Sequence, residues 1–182
     1  MRIPSLAAVL CVILCLMGAI AALLRASAQS TQPPELKKLD LWSGQWTTKG
    51  KLYDTPHSHV GEITITMTCG WSAYAGYMIC DHLINGPAGR RNDLSIFTYN
   101  QADKSYKFCG FDQTGVPRST PLTIEGNIWS YDTDEEENGK KVHMKTINDF
   151  SRPGIVTWNT KFSEDGGAHW TLMNEGVDTK VR

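Results

Sequence analysis

The sequence predicts an all-β fold, a closed antiparallel meander barrel of about ten strands with a short N-terminal helix capping one end. Three observations carry that expectation. Ile63, Ile65, Met67 and Cys69 alternate with Thr64, Thr66 and Thr68, the period-two pattern of a half-buried strand. Short aromatic and branched runs then recur along the rest of the chain, separated by Gly, Pro, Asn and Asp clusters with turn chemistry. No helical period interrupts them.

Residues 1–28 stand apart from the rest of the chain. Met1-Arg2 leads into an apolar run from Leu6 to Leu24, closed by Arg25-Ala26-Ser27-Ala28. A basic start, an apolar stretch and a small-x-small end is the layout of a secretory signal, with cleavage expected after Ala28. The run is also long enough to serve as a retained anchor, since roughly 20 apolar residues span a bilayer. Either way the chain is expected to be exported, to the periplasm or the extracellular space. Cys11 and Cys15 each follow a Leu and read as apolar filler rather than acylation sites.

Residues 29–34 form a polar linker, and residues 35–182 a single domain with one core. The whole chain carries 18 basic and 19 acidic side chains. Without Arg2 and Arg25 the balance falls to about −3, which argues against a nucleic-acid partner, because a phosphate-binding face needs clustered cations. The acidic run 132–137, beside Asn138-Gly139, reads as a solvated hairpin tip. Its carboxylates lack the alternating spacing of a calcium loop.

Pro34 suits a helix start, and Leu36, Leu39 and Leu41 or Trp42 give the next residues one apolar side. Such a short helix cannot stand alone and must lie against a barrel end. Strands are expected at 45–53, 63–69, 77–83, 94–99, 106–111, 121–124, 127–131, 142–150, 155–162 and 169–174. Asn138-Gly139, Pro153-Gly154 and Asp165-Gly166-Gly167 mark turns between the later ones. A meander of this length closes on itself or leaves two adhesive edges, and closure is the commoner solution. A two-sheet sandwich is the alternative, and the lack of a fixed repeat weighs against a propeller.

Leu39-Asp40-Leu41-Trp42-Ser43-Gly44-Gln45-Trp46, followed by Gly50, resembles the opening of lipocalin-like (calycin) barrels, where a short helix leads into G-x-W at the first strand. The resemblance implies that Trp46 packs across one barrel end. Tyr99-Asn100, Lys104, Tyr106, Asp112, Gly115, Asp165-Gly166-Gly167-x-x-Trp170 and Glu175-Gly176 resemble a family of uncharacterised, often exported bacterial domains of this kind. That implies a fold and no reaction. Ser163-x-Asp165-x-Gly167-x-His169-Trp170 also resembles the Asp-box of sialidases, in which the Asp ties a hairpin and has no catalytic role.

Cys69, Cys80 and Cys109 remain in the domain, enough for one disulfide and one free thiol. Three pairings are open, and Cys69 with Cys80, on neighbouring expected strands, is the candidate bridge. All three as buried apolar groups is the other reading. His57 and His59 have a metal-like spacing, with Asp54 or Glu62 near, but their surroundings read as a hairpin loop. Of Asp81 and His82 only one can face a lumen. His143 and His169 are the candidates for a single lumenal haem ligand of the nitrobindin kind. No serine-nucleophile or phosphate-loop motif is present, so no catalytic residue, metal or cofactor is assigned.

The aromatic inventory favours binding. A barrel of this size either fills its interior with side chains or keeps room for one small ligand. The expected function is lumenal binding of a small apolar or amphipathic molecule. Tyr77, Phe108, Trp129 and Trp158 are the candidate wall, and Trp46 sits at the closed end. A barrel enzyme or a haem- or metal-binding barrel using a lumenal His or Asp is the second class, and a structural module with a filled barrel the third.

Overall fold

The structure, a computed structural model, describes residues 32–181 apart from Asn138; the side chain of Glu137 is also left undescribed. The expected signal or anchor at 1–28 lies outside the described residues. Among the described residues no helix is long and apolar enough to cross a membrane.

The chain opens with a single helical turn, α1 (Pro34–Lys37), which runs into a 3-10 turn over Lys38–Trp42. Ten strands follow: β1 (Gly44–Leu52), β2 (Gly61–Trp71), β3 (Tyr77–Gly86), β4 (Gly89–Asn100), β5 (Ser105–Phe111), β6 (Pro117–Glu125), β7 (Ile128–Glu137), β8 (Lys140–Arg152), β9 (Ile155–Ser163) and β10 (Thr171–Lys180). Each pairs antiparallel with its sequence neighbour, and β1 pairs with β10, which closes the barrel. The meander is complete and the sandwich alternative does not apply.

Alternation sets which side chains point inward. On β2, Ile63, Met67 and Cys69 are buried while Thr64, Thr66 and Thr68 are exposed. Cys69 stands opposite Cys80 in register and the two are joined by a disulfide. Cys109 is a free thiol on the outer face, where its Sγ donates to Ser119 Oγ at 3.5 Å.

One barrel end is sealed. Leu36, Leu39 and Trp42 are buried in the main core cluster together with Trp46, Phe97, Trp129 and Phe150. Trp42 stacks on Phe97, with centroids 5.8 Å apart, and meets Phe150 edge-on at 4.9 Å. Polar ties hold the plug where packing alone would let it slide. Trp46 Nε1 donates to the Trp42 carbonyl at 2.7 Å, Trp71 Nε1 to Asp40 Oδ1 at 2.6 Å, and the Tyr106 hydroxyl to the Glu35 carbonyl at 2.9 Å. The other mouth is narrowed by a second cluster of Val142, Met144, Phe162 and Met173, on which the β1–β2 loop rests through His57 against Phe162.

Candidate lumenal binding site

Between plug and mouth lies a cavity of about 330 Å3. Its deepest polar feature is assembled by a pair of glycines. Gly50 of β1 faces Gly176 of β10, and Trp158 of β9 stands beside Gly176. A Cβ on Gly176 would lie 2.5 Å from Trp158 Cζ2, and a Cβ on Gly50 would lie 2.8 Å from both the Ile63 side chain and the Glu175 carbonyl. The glycines therefore leave a flat seat for the indole, since no larger residue permits this approach. Seated there, Trp158 Nε1 donates to Asp178 Oδ1 at 2.9 Å, and Thr48 Oγ1 donates to the same oxygen at 2.5 Å.

Asp178 is only 4% exposed and has no ion pair among the described residues. Burial pushes its carboxyl up to about 6, although the Thr48 and Trp158 hydrogen bonds favour the charged form. The same wall carries Asn148, Asn174, Thr146 and Thr160, all lining the cavity. Thr146 and Thr160 share a hydrogen bond at 3.0 Å. Asn174 Oδ1 is buried without a partner, and Asn148, 7% exposed, makes no side-chain hydrogen bond among the described residues. Tyr131 stands next to Thr146 in register, stacked on Phe108 at 4.0 Å, and burial pushes its phenol up to about 12.

The facing wall is apolar, with Ile63, Ile65, Met67 and Ile84 from β2 and β3 and Phe97 and Phe108 from β4 and β5. Toward the mouth it gives way to a band of matched charges. Arg118 meets Asp112 at 3.1 Å and Glu135 at 3.3 Å, and Arg91 meets Asp93 at 3.4 Å. Thr114 hydroxyl and backbone N–H donors, with Arg118, hold the Asp112 carboxyl below its ordinary range. His82 lies opposite Asp93 in register. Burial lowers its imidazole from the usual value against the pull of Asp93 and Asp81, so the neutral form is favoured. Its Nε2 is buried with no partner among the described residues, as is Asp93 Oδ1.

Of the five residues the sequence suggests for ligand contact, Phe108 and Trp158 line this cavity. Trp46 and Trp129 do not. Both are almost fully buried at the sealed end, beside an outer groove flanked by Lys37, Lys38, Arg152 and Lys180. Tyr77 is a correction: it is 43% exposed on the outer surface, because its neighbour Met78 takes the inward position opposite Phe97. The alternation that makes a strand allows only one of the two inside.

The histidines sort themselves in the same way. His82 faces the lumen and Asp81 faces out. His143 and His169, the haem-ligand candidates, both lie outside, bonded to Asp134 at 2.6 Å and Asp165 at 2.6 Å. His57 and His59 do not share a strand face. His57 sits in a tight turn bridged from Thr55 to Ser58, its ring packed on Phe162 and 3.2 Å from Glu164, and His59 follows the turn. Among the described residues no three His, Cys, Asp or Glu side chains converge as a metal site. The Ser163–Trp170 segment is a tied hairpin. Ser163 Oγ donates to Asp165 Oδ1 at 2.8 Å, the His169 N–H donates to the same oxygen at 2.9 Å, and Gly166 and Gly167 take positive φ between them.

Sequence reasoning misses Asp178, Thr48, Asn148 and Asn174. The expected last strand stops at residue 174, whereas β10 runs to Lys180. Spacing from Gly176 is the signal that could find Asp178 and Asn174, since residues two apart on a strand share a face.

This arrangement defines a class: a closed ten-stranded meander barrel with a plugged end and a partly polar lumen. No family model matches the chain, and no curated protein matches it. Among solved structures it is similar to that of Rv2717c from M. tuberculosis, with a TM-score of 0.56 at 10% identity, over 82% of this chain and 98% of that one. At that identity the likeness shows the fold alone.

Proposed function

We propose that this chain binds one small amphipathic molecule in its barrel lumen, and that it does so outside the cytoplasm. The observation that carries the reading is the cavity of about 330 Å3, whose lining residues include buried polar atoms with no partner among the described residues. A structural barrel gains nothing from this arrangement. Each buried, unsatisfied polar group costs about 1–3 kcal/mol, a cost that a bound partner removes. The volume is in the range of small-molecule pockets, roughly 300–1,000 Å3. An apolar wall facing a hydrogen-bonding wall suits a ligand with one face of each kind. Export rests on the basic, apolar and Ala-Ser-Ala segments of residues 1–28.

A second reading has one specific support. His82 lines the lumen opposite Asp93 in register, and its buried Nε2 has no partner among the described residues, which suits a general base. It would give the barrel a proton-transfer role on the molecule it holds.

Tryptophan fluorescence of the purified chain tests the primary reading, because Trp158 and Trp42 both line the cavity. Saturable changes with single-chain amphiphiles are expected. A flat response across neutral, anionic and cationic amphiphiles would remove lumenal binding.

A further inference from the structure

The charges of the lumen are unevenly paired. Both arginines that line it are engaged, Arg118 by Asp112 and Glu135, and Arg91 by Asp93. A carboxylate or phosphate ligand would meet these arginines beside the carboxylates they already face, whose negative charge opposes it. Asp178 is the reverse case. It is a buried carboxylate with two neutral donors on one oxygen, and no cation meets it among the described residues. A buried charge without a counter-charge is unfavourable, and a cation brought beside it by a ligand relieves the cost.

The unpartnered groups among the residues that line the lumen favour a donor-rich guest. Asn174 Oδ1 and Asp93 Oδ1 are acceptors only, and the neutral His82 ring offers at Nε2 either an acceptor or a donor according to its tautomer. Among the described residues Trp42 Nε1 is the one orphan on the lining that can only donate, and it lies at the plug. Asn148 beside Trp158 adds an amide with no side-chain hydrogen bond among the described residues. Apolar surface waits opposite, on Ile63, Ile65 and Met67, with aromatic faces at Phe108 and Trp158.

Resting on the lumenal-binding reading above, we infer that the ligand is a cationic amphiphile, a protonated amine whose ammonium group is held by Asp178 while its apolar part lies against β2 and the lumenal aromatics. The seat of Trp158 on Gly50 and Gly176 then has a purpose. It fixes one carboxylate oxygen from behind and leaves the other for the guest.

The test is calorimetric titration of octylamine, octanol and octanoate into the intact chain and into Asp178→Asn, at pH 7.5. Asparagine keeps an oxygen that can accept from both Thr48 and Trp158, so the variant retains the wall's internal hydrogen bonds. Octylamine is expected to bind at least about tenfold tighter than octanol, as a charge-assisted hydrogen bond outweighs a neutral one, with octanoate weakest. In D178N the amine should fall to the affinity of the alcohol. If octanol or octanoate binds the native chain as well as octylamine, or D178N keeps the amine preference, the amine inference is wrong and lumenal binding stands. If none of the three binds the native chain, both fall together.

Discussion

At the scale of single residues, Asp178 ties the energetics of the barrel to pH. Its folded carboxyl is raised from 3.8 to about 6, so the folded chain holds a proton that the unfolded chain has already lost between those values. Stability from this group is fully present below pH 3.8 and is lost as pH rises through 6. The titratable neighbour facing it is Tyr131, which stays neutral across this window, and Thr48 and Trp158 do not titrate there. A rise of this size corresponds to about 3 kcal/mol. Denaturation of D178N and the native chain at several pH values checks this. The advantage of D178N should grow from pH 4 to pH 7 by up to about 3 kcal/mol, and a constant gap would contradict the assignment.

Gly176 makes a second prediction at this scale. Ala at this position places a Cβ 2.5 Å from Trp158 Cζ2, so the indole must leave its seat. Overpacking of this kind costs about 1–3 kcal/mol. The displaced indole should also lose its bond to Asp178, which a shift in the tryptophan emission maximum would report.

At the scale of elements, the plug and the disulfide carry most of the testable structure. Trp46 is 2% exposed, and replacing it by Ala should cost about 3–5 kcal/mol as a buried large-to-small change. Because it lies at the sealed end and outside the cavity lining, the folded variant should keep the octylamine affinity of the native chain. The Cys69–Cys80 bond joins β2 and β3 across a separation of 11 residues. Replacing both by Ala should lower unfolding stability by about 2–4 kcal/mol, measured without reductant.

Elements also explain how much of the fold is legible in the sequence. Strands with branched or aromatic inward positions are readable, because alternation with threonine marks one buried face, as at 63–69. Strand ends that carry polar residues into the lumen are not. Asp178 looks like a solvent position when it is inward, so the expected last strand ends short of β10, and the expected fourth strand starts at Leu94 rather than Gly89. That leaves Arg91 and Asp93 outside any expected strand. Tyr77 fails for a related reason: aromatic character alone does not say which of two neighbours turns inward. Trp158 and Phe108 can be suggested from their chemistry, but the glycine seat that orients Trp158 is a cross-strand relation that only register reveals.

At the scale of the whole molecule, a sealed end, a narrowed mouth and a half-polar lumen make a container rather than a solid core. The lumen must then be an available volume. Ser95 faces the cavity from β4, between Cys80 and Gly110 in register, and Phe at this position would project a benzyl group into it. The decisive measurement is calorimetric titration of octylamine into the native chain and Ser95→Phe, with both shown to be folded by circular dichroism. A container predicts saturable one-to-one binding to the native chain and weaker binding by the narrowed variant. Equal binding by both, or no saturable binding by the native chain, would contradict it.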